Sequence, residues 1–82
     1  MDPVVVGEGG VEVATLAEFL RWKRGTRSQL DVAKAAGVPA GRLSGWEKGD
    51  WIPTFPTLRK LAPALGFTDR DWETIGLLGG RQ

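Results

Sequence analysis

Apolar residues recur along most of this chain at spacings of three and four, the period that gathers side chains on one face of an α-helix. Leu16, Phe19 and Leu20 form the first such stripe, extended by the stem of Lys23. Thr15 and Glu18 have capping-box spacing at its start, and Gly25 ends it. A second helix opens at Ser28, with Asp31 three residues on. It turns Val32, Ala33 and Ala36 inward and reaches Gly37, where a left-handed C-cap fits. A third begins just after Val38-Pro39, because proline is tolerated only in a first turn. Leu43 and Trp46 make its inner face, and Gly49 stops it. Trp51-Ile52-Pro53 reads as a loop. A fourth helix, capped by Thr54, carries Leu58, Leu61, Ala62 and Leu65 inward to Gly66, and Pro63 inside it predicts a kink. A fifth, capped by Thr68 with Asp71 reciprocating, buries Trp72, Ile75 and Leu78.

Residues 1–14 follow a different pattern. Val4-Val5-Val6 and Val11-Glu12-Val13 flank Gly7-Glu8-Gly9-Gly10, which suggests a short β-hairpin. An isolated hairpin is marginal in water, so it must pack on the helices, pair with a second chain or stay disordered. The glycines do not form a phosphate loop, since no GK[ST] follows. The chain therefore divides into an N-terminal extension, 1–14, a helical domain, 15–78, and a flexible tail, 79–82. The fold class is all-α: a compact five-helix domain with a short N-terminal hairpin or strand.

A chain of 82 residues supports one domain, and 41% hydrophobic residues with four tryptophans can build its core without a metal or disulfide. Cysteine and histidine are both absent. That removes Ser-His-Asp and Cys-His nucleophiles, thiolate or imidazole zinc sites, and the commonest general base. No catalytic residue, metal or cofactor is expected. Asp69, Asp71 and Glu73 are explained as first-turn acids that suit the helix dipole. No apolar stretch approaches the roughly 20 residues of a membrane span, and no basic region precedes Val4-Val5-Val6 to suggest a secretory signal. A cytoplasmic, nucleoid-associated location is expected.

The net charge of +1 conceals an uneven distribution. Residues 1–15 hold three acids and no base, residues 16–60 nine bases against four acids, and residues 61–82 two bases against three acids. A basic middle segment is the footprint of polyanion binding, or else a solvated helix face. Within it, two short helices meet across Gly37-Val38-Pro39. A two-helix corner with glycine in a three-to-four-residue turn is helix-turn-helix geometry, here running from Ser28 to Glu47. Ala33 and Ala36 permit the close crossing, and Val38 plugs the corner. A short helix standing proud of the core can then enter a major groove about 12 Å wide.

The run Ser28-Gln29-Leu30-Asp31-Val32-Ala33-Lys34-Ala35-Ala36-Gly37-Val38, followed by Leu43-Ser44-Gly45-Trp46-Glu47-Lys48-Gly49, resembles the XRE helix-turn-helix family of Cro/CI-type phage repressors. So do Pro53-Thr54, Thr57-Leu58, Leu61-Ala62 and Ala64-Leu65-Gly66, and the resemblance extends over residues 16–78. It implies a lambda-repressor-like five-helix fold, the third helix in the major groove of double-stranded DNA, and a homodimer spanning two half-sites. It matches Ser28 and Gln29 to phosphate contacts at the start of the second helix, where free N–H groups suit an anion. Lys48 falls where basic residues meet the backbone, and Glu47 matches a structural acid. Arg27 sits beside the phosphate contacts. Trp51 passes near the DNA backbone, as a phosphate contact or as a partly buried loop anchor.

One departure from the family concerns base reading. The family's reading positions correspond to Ala40, Gly41 and Gly45, none with a hydrogen-bonding side chain. Arg42, and less directly Ser44, remain to reach base edges. Three readings stay open. The glycines seat the helix unusually deep, with Ala40 on a thymine methyl and Arg42 on guanine; or DNA shape and phosphates supply specificity; or the fold has lost base readout and serves as a protein-interaction module. A second departure is the loop Gly25-Thr26-Arg27, which lacks the apolar residue that normally precedes Ser28. The expected function is a DNA-binding transcriptional regulator, a phage- or plasmid-type repressor or an antitoxin-like autoregulator. Dimerisation is expected through Ile75, Leu77 and Leu78 or through strand pairing of the N-terminal segment, which is also the expected contact for any protein partner.

Overall fold

The structure, a computed structural model, describes residues 5–6, 12–13 and 15–79. Five helices follow two short strands: β1 (Val5–Val6), β2 (Glu12–Val13), α1 (Leu16–Arg24), α2 (Gln29–Ala36), α3 (Ala40–Lys48), α4 (Phe55–Leu65) and α5 (Asp69–Leu78). The strands pair antiparallel, Val5 opposite Val13 and Val6 opposite Glu12. β2 lies against α1 and β1 against α5, and Val13 is buried in the core. The glycine turn expected between the strands, and the tail from residue 80 on, lie outside the described residues.

Short polar side chains start three of the helices. The Thr15 hydroxyl accepts from the Glu18 N–H at 3.1 Å, and Ser28 accepts from the Asp31 N–H at 3.0 Å. At α5 both halves of a capping box form between Thr68 and Asp71. Each cap satisfies an N–H that no intrahelical carbonyl can reach. Thr54 stands at the N-cap of α4, but its hydroxyl pairs with the Thr57 hydroxyl at 3.2 Å and caps no N–H. α4 runs through Pro63 to Leu65 with the proline on its exposed side.

The corner between α2 and α3 is set by backbone chemistry. Gly37 adopts φ 71°, ψ 35°, a left-handed conformation costly for other residues. The Val38 N–H then reaches back to the Ala33 carbonyl at 3.0 Å, and that of Gly37 to Lys34 at 3.2 Å, closing a Schellman motif. Pro39, with φ −65°, follows as the N-cap of α3. Its carbonyl receives the Arg42 and Leu43 N–H groups.

Phe19, Leu20, Leu43, Leu58, Leu61 and Ile75 are fully enclosed and make the centre of the core. Val32, Ala33 and Ala36 of α2 and Trp46 of α3 join it, as their spacing predicts. Trp22, Phe19, Phe67 and Trp72 form a chain of tilted and edge-on ring contacts, with centroids 5.4–5.8 Å apart. Trp72, expected as core, ends half-buried at one end of this chain, and Trp22 at the other.

Two buried carboxylates tie the helices together. Asp71 meets the Lys23 ammonium at 2.8 Å, joining α5 to α1. Glu47, only 2% exposed, receives Arg24 in a forked pair: Nε to Oε2 at 2.8 Å and Nη2 to Oε1 at 2.8 Å. The Gln29 amide adds a third donor at 3.2 Å. The hydrogen bonds from Arg24 to Glu47, with the attraction of that carboxylate, raise the Arg24 pKa above its ordinary value against the opposing effect of burial. The guanidinium's contribution is fully present below its ordinary value and is lost as pH rises through the elevated one, so Arg24 stays charged across the whole working pH range.

Removing one partner of such a pair is costly because the other is left charged in a dry site. The cost here is asymmetric, since the Arg24 side chain is 21% exposed and Glu47 2%. Arg24→Met, which strands the carboxylate, is expected to lower stability by about 3–5 kcal/mol. Glu47→Gln, which lets the guanidinium turn to water, is expected to cost clearly less. Urea unfolding of both variants checks the order, and a larger loss in Glu47→Gln contradicts it.

Candidate nucleic-acid interface

Because Leu43, Trp46 and Glu47 fix the inner side of α3, the opposite side is set by helical geometry. Gly41, Gly45 and Lys48 follow one another there at spacings of four and three, with Arg42 alongside. Gly41 and Arg42 are exposed, and no atom lies within 4 Å of where a Cβ at Gly41 would stand. Ser44 is half-buried. Ala40 is half-buried too and packs against the core, so its methyl is only partly available to a groove.

Gly45 is the exception on this face. It is buried, and a Cβ added to it would overlap the six-membered ring of Trp51. The chain returns there because α3 ends in a second Schellman turn. Gly49 is left-handed at φ 83°, and the Asp50 N–H bonds the Gly45 carbonyl at 3.0 Å. Residue 51 is thereby delivered onto residue 45. Arg42 lies over the same indole, its Cζ 5.3 Å from the ring centroid. Trp51 nevertheless remains 51% exposed. It is thus both loop anchor and surface, and the outer side of α3 carries an Arg42–Trp51–Gly45 stack where the sequence suggests a bare helix.

The residues expected to contact phosphate divide into two groups. Ser28 is the N-cap of α2, with its hydroxyl engaged by Asp31. Gln29 turns its amide inward to Glu47. That bond brings the start of α2 beside the last turn of α3, where Lys48 is exposed and makes no ion pair among the described residues. The first N–H groups of α2 have no intrahelical partner, so the backbone here offers the donors an anion needs.

Arg27, expected beside these contacts, is occupied elsewhere. Its Nη1 donates to the Ala64 carbonyl at 2.6 Å, Nη2 to Lys23 at 3.0 Å and Nε to Arg24 at 3.3 Å. It covers carbonyls at the C-terminal ends of α1 and α4, where a cation also complements the helix dipole. The loop from Gly25 to Arg27 is fastened by this side chain, where the sequence offers no apolar anchor.

Sequence reasoning did not reach three features of this surface. Leu30 on α2 and Ile52 in the loop after α3 are exposed large apolar residues. Trp51 and Ile52 also line a groove of about 410 Å³ together with Ala17, Arg21 and Leu78. The one signal for the stack was a glycine on the outer side of a helix, followed by a tight stop and a large aromatic. Of the residues expected at a dimer contact, Ile75 is enclosed in the core and unavailable, Leu78 is half-buried, and Leu77 is 69% exposed.

Among the described residues there is no group of acids that could hold a metal, and no helix long and apolar enough to cross a membrane. No curated protein matches the chain. A family model described as helix-turn-helix matches residues 15–72. That match takes in the whole of α1 to α4 and the capping turn of α5, so the chain belongs to the XRE-type helix-turn-helix family, a family of DNA-binding regulators and not of enzymes.

Proposed function

We propose that the protein binds duplex DNA as a homodimer with α3 in the major groove, and acts as a small repressor or autoregulator of the phage, plasmid or antitoxin type. The observation that carries this is the outward side of α3: an open backbone at Gly41 beside an exposed guanidinium at Arg42. Arginine reads guanine through paired donors to O6 and N7, and an N-terminal position on the reading helix brings it to base edges. Phosphates are held by the N-terminal N–H groups of α2 around Ser28 and Gln29, and by Lys48 at the end of α3. Ser44 and the Ala40 methyl supply secondary contacts at the groove floor.

A second reading, a protein-interaction module, is favoured by one observation. Leu30 and Ile52 are exposed and apolar on the segments that flank α3, a helix with few hydrogen-bonding side chains. The two readings differ in salt response. Each neutralised phosphate releases counterions, so a DNA complex weakens steeply as salt rises, whereas an apolar protein contact does not.

Arg42→Ala is expected to reduce the preference for a selected duplex over random duplex by about 1–3 kcal/mol. Lys48→Ala should weaken both alike and lower the salt slope by about one. Fluorescence anisotropy across a salt series measures both. Binding of the selected duplex that is indifferent to Arg42→Ala removes the base-reading assignment.

The homodimer is assigned to the C-terminal end of α5 around Leu77, because Ile75 is committed to the core and the exposed leucine is not. Leu77→Glu is expected to convert the dimer to monomer in sedimentation velocity. A dimer that survives Leu77→Glu but is lost on removal of residues 1–10 transfers the contact to the N-terminal strands.

A further inference from the structure

We infer that Trp51 is a positioning residue for base reading: its indole, seated on the backbone of Gly45, holds the Arg42 guanidinium over the ring and so fixes the donor that reads guanine. This rests on the DNA-binding reading above and deepens it. Arg42 and Gly45 are three residues apart on α3 and therefore neighbours on its surface. A side chain at 45 would fill the space between Arg42 and the end of the helix. Glycine leaves that space to Trp51, which occupies it, and the Asp50–Gly45 backbone bond keeps residue 51 there.

The energetic consequence concerns freedom. An exposed arginine samples many rotamers, and ordering it on a base edge forfeits them. A guanidinium lying over an indole has already lost much of that freedom, and stacking leaves its in-plane N–H donors directed outward. The aromatic ring thus prepares Arg42 for a paired contact before DNA arrives. It also thickens the C-terminal half of α3, so that close approach is available at Gly41, where no atom intrudes, and is blocked at Gly45. The reading end of the helix is its N-terminal end.

The test is sequence selection from a randomised duplex pool with the full chain and four variants: Arg42→Ala, Trp51→Ala, Trp51→Phe and Gly45→Ala. The wild type is expected to enrich a guanine whose enrichment disappears in Arg42→Ala. Trp51→Ala and Gly45→Ala are expected to reduce the preference for that guanine by about tenfold or more, and Trp51→Phe to retain most of it. Gly45→Ala separates positioning from folding, because alanine favours the helix intrinsically while its methyl displaces the ring. In the free protein, the Arg42 side-chain protons should show ring-current shifts that vanish in Trp51→Ala and Gly45→Ala. A Trp51→Ala or Gly45→Ala protein that selects the guanine as strongly as wild type overturns the inference and leaves DNA binding standing. A wild-type chain that binds no duplex overturns the DNA-binding reading itself.

Discussion

A carboxylate that is 2% exposed has to be neutralised where it sits, and Glu47 is neutralised by groups from two other helices. Arg24 supplies the charge from the last residue of α1, and Gln29 an amide from the first residue of α2. Displacing α1 would strand a charge in a dry site and displacing α2 would take a donor from the same carboxylate, so the crossing of α1, α2 and α3 is held near one geometry. Apolar packing alone is more permissive, since side chains such as Leu43 and Leu20 can repack at modest cost. With Glu47 turned inward at the C-terminal half of α3, helical geometry sends Gly41, Gly45 and Lys48 outward. The exposed side of α3 is thus a consequence of how its one acid is buried.

What the sequence made legible is what local rules govern. Thr15, Ser28 and Thr68 begin helices because their hydroxyls serve N–H groups three residues on. Gly37, Gly49 and Gly66 end them because a left-handed residue is needed there. The inner stripes followed from period alone. Features set by distant chain segments were not legible. Arg27 reaches a carbonyl 37 residues away at Ala64, and no spacing rule reports that. Ile75 and Leu77 are equally apolar, and only packing decides which is enclosed and which faces out. Trp51 on Gly45 joins residues close in sequence, yet it depends on the turn at Gly49 reversing the chain, so a reading of helices one at a time leaves it out.

The surface charge is also not the one that counting suggests. Of the nine bases in residues 16–60, Lys23 faces Asp71, Arg24 is consumed by Glu47, and Arg27 covers carbonyls at the ends of two helices. The bases left exposed without such commitments include Arg21, Lys34, Arg42, Lys48, Arg59 and Lys60. The cationic surface is therefore carried by these side chains, with Arg42 stacked on Trp51 among them.

Two glycines in a nine-residue helix weaken it by roughly 1 kcal/mol each relative to alanine, and the fold accounts for only one of them. Gly45 recovers its cost through the indole that packs against it, which no larger residue permits. At Gly41 the backbone is not in the left-handed region and no neighbour occupies the place of a side chain. Neither dihedral nor packing within this chain asks for glycine there. What a missing side chain does provide is an unobstructed stretch of helix backbone one residue before Arg42. That leaves room for a partner surface to approach the helix backbone beside the exposed Arg42 guanidinium.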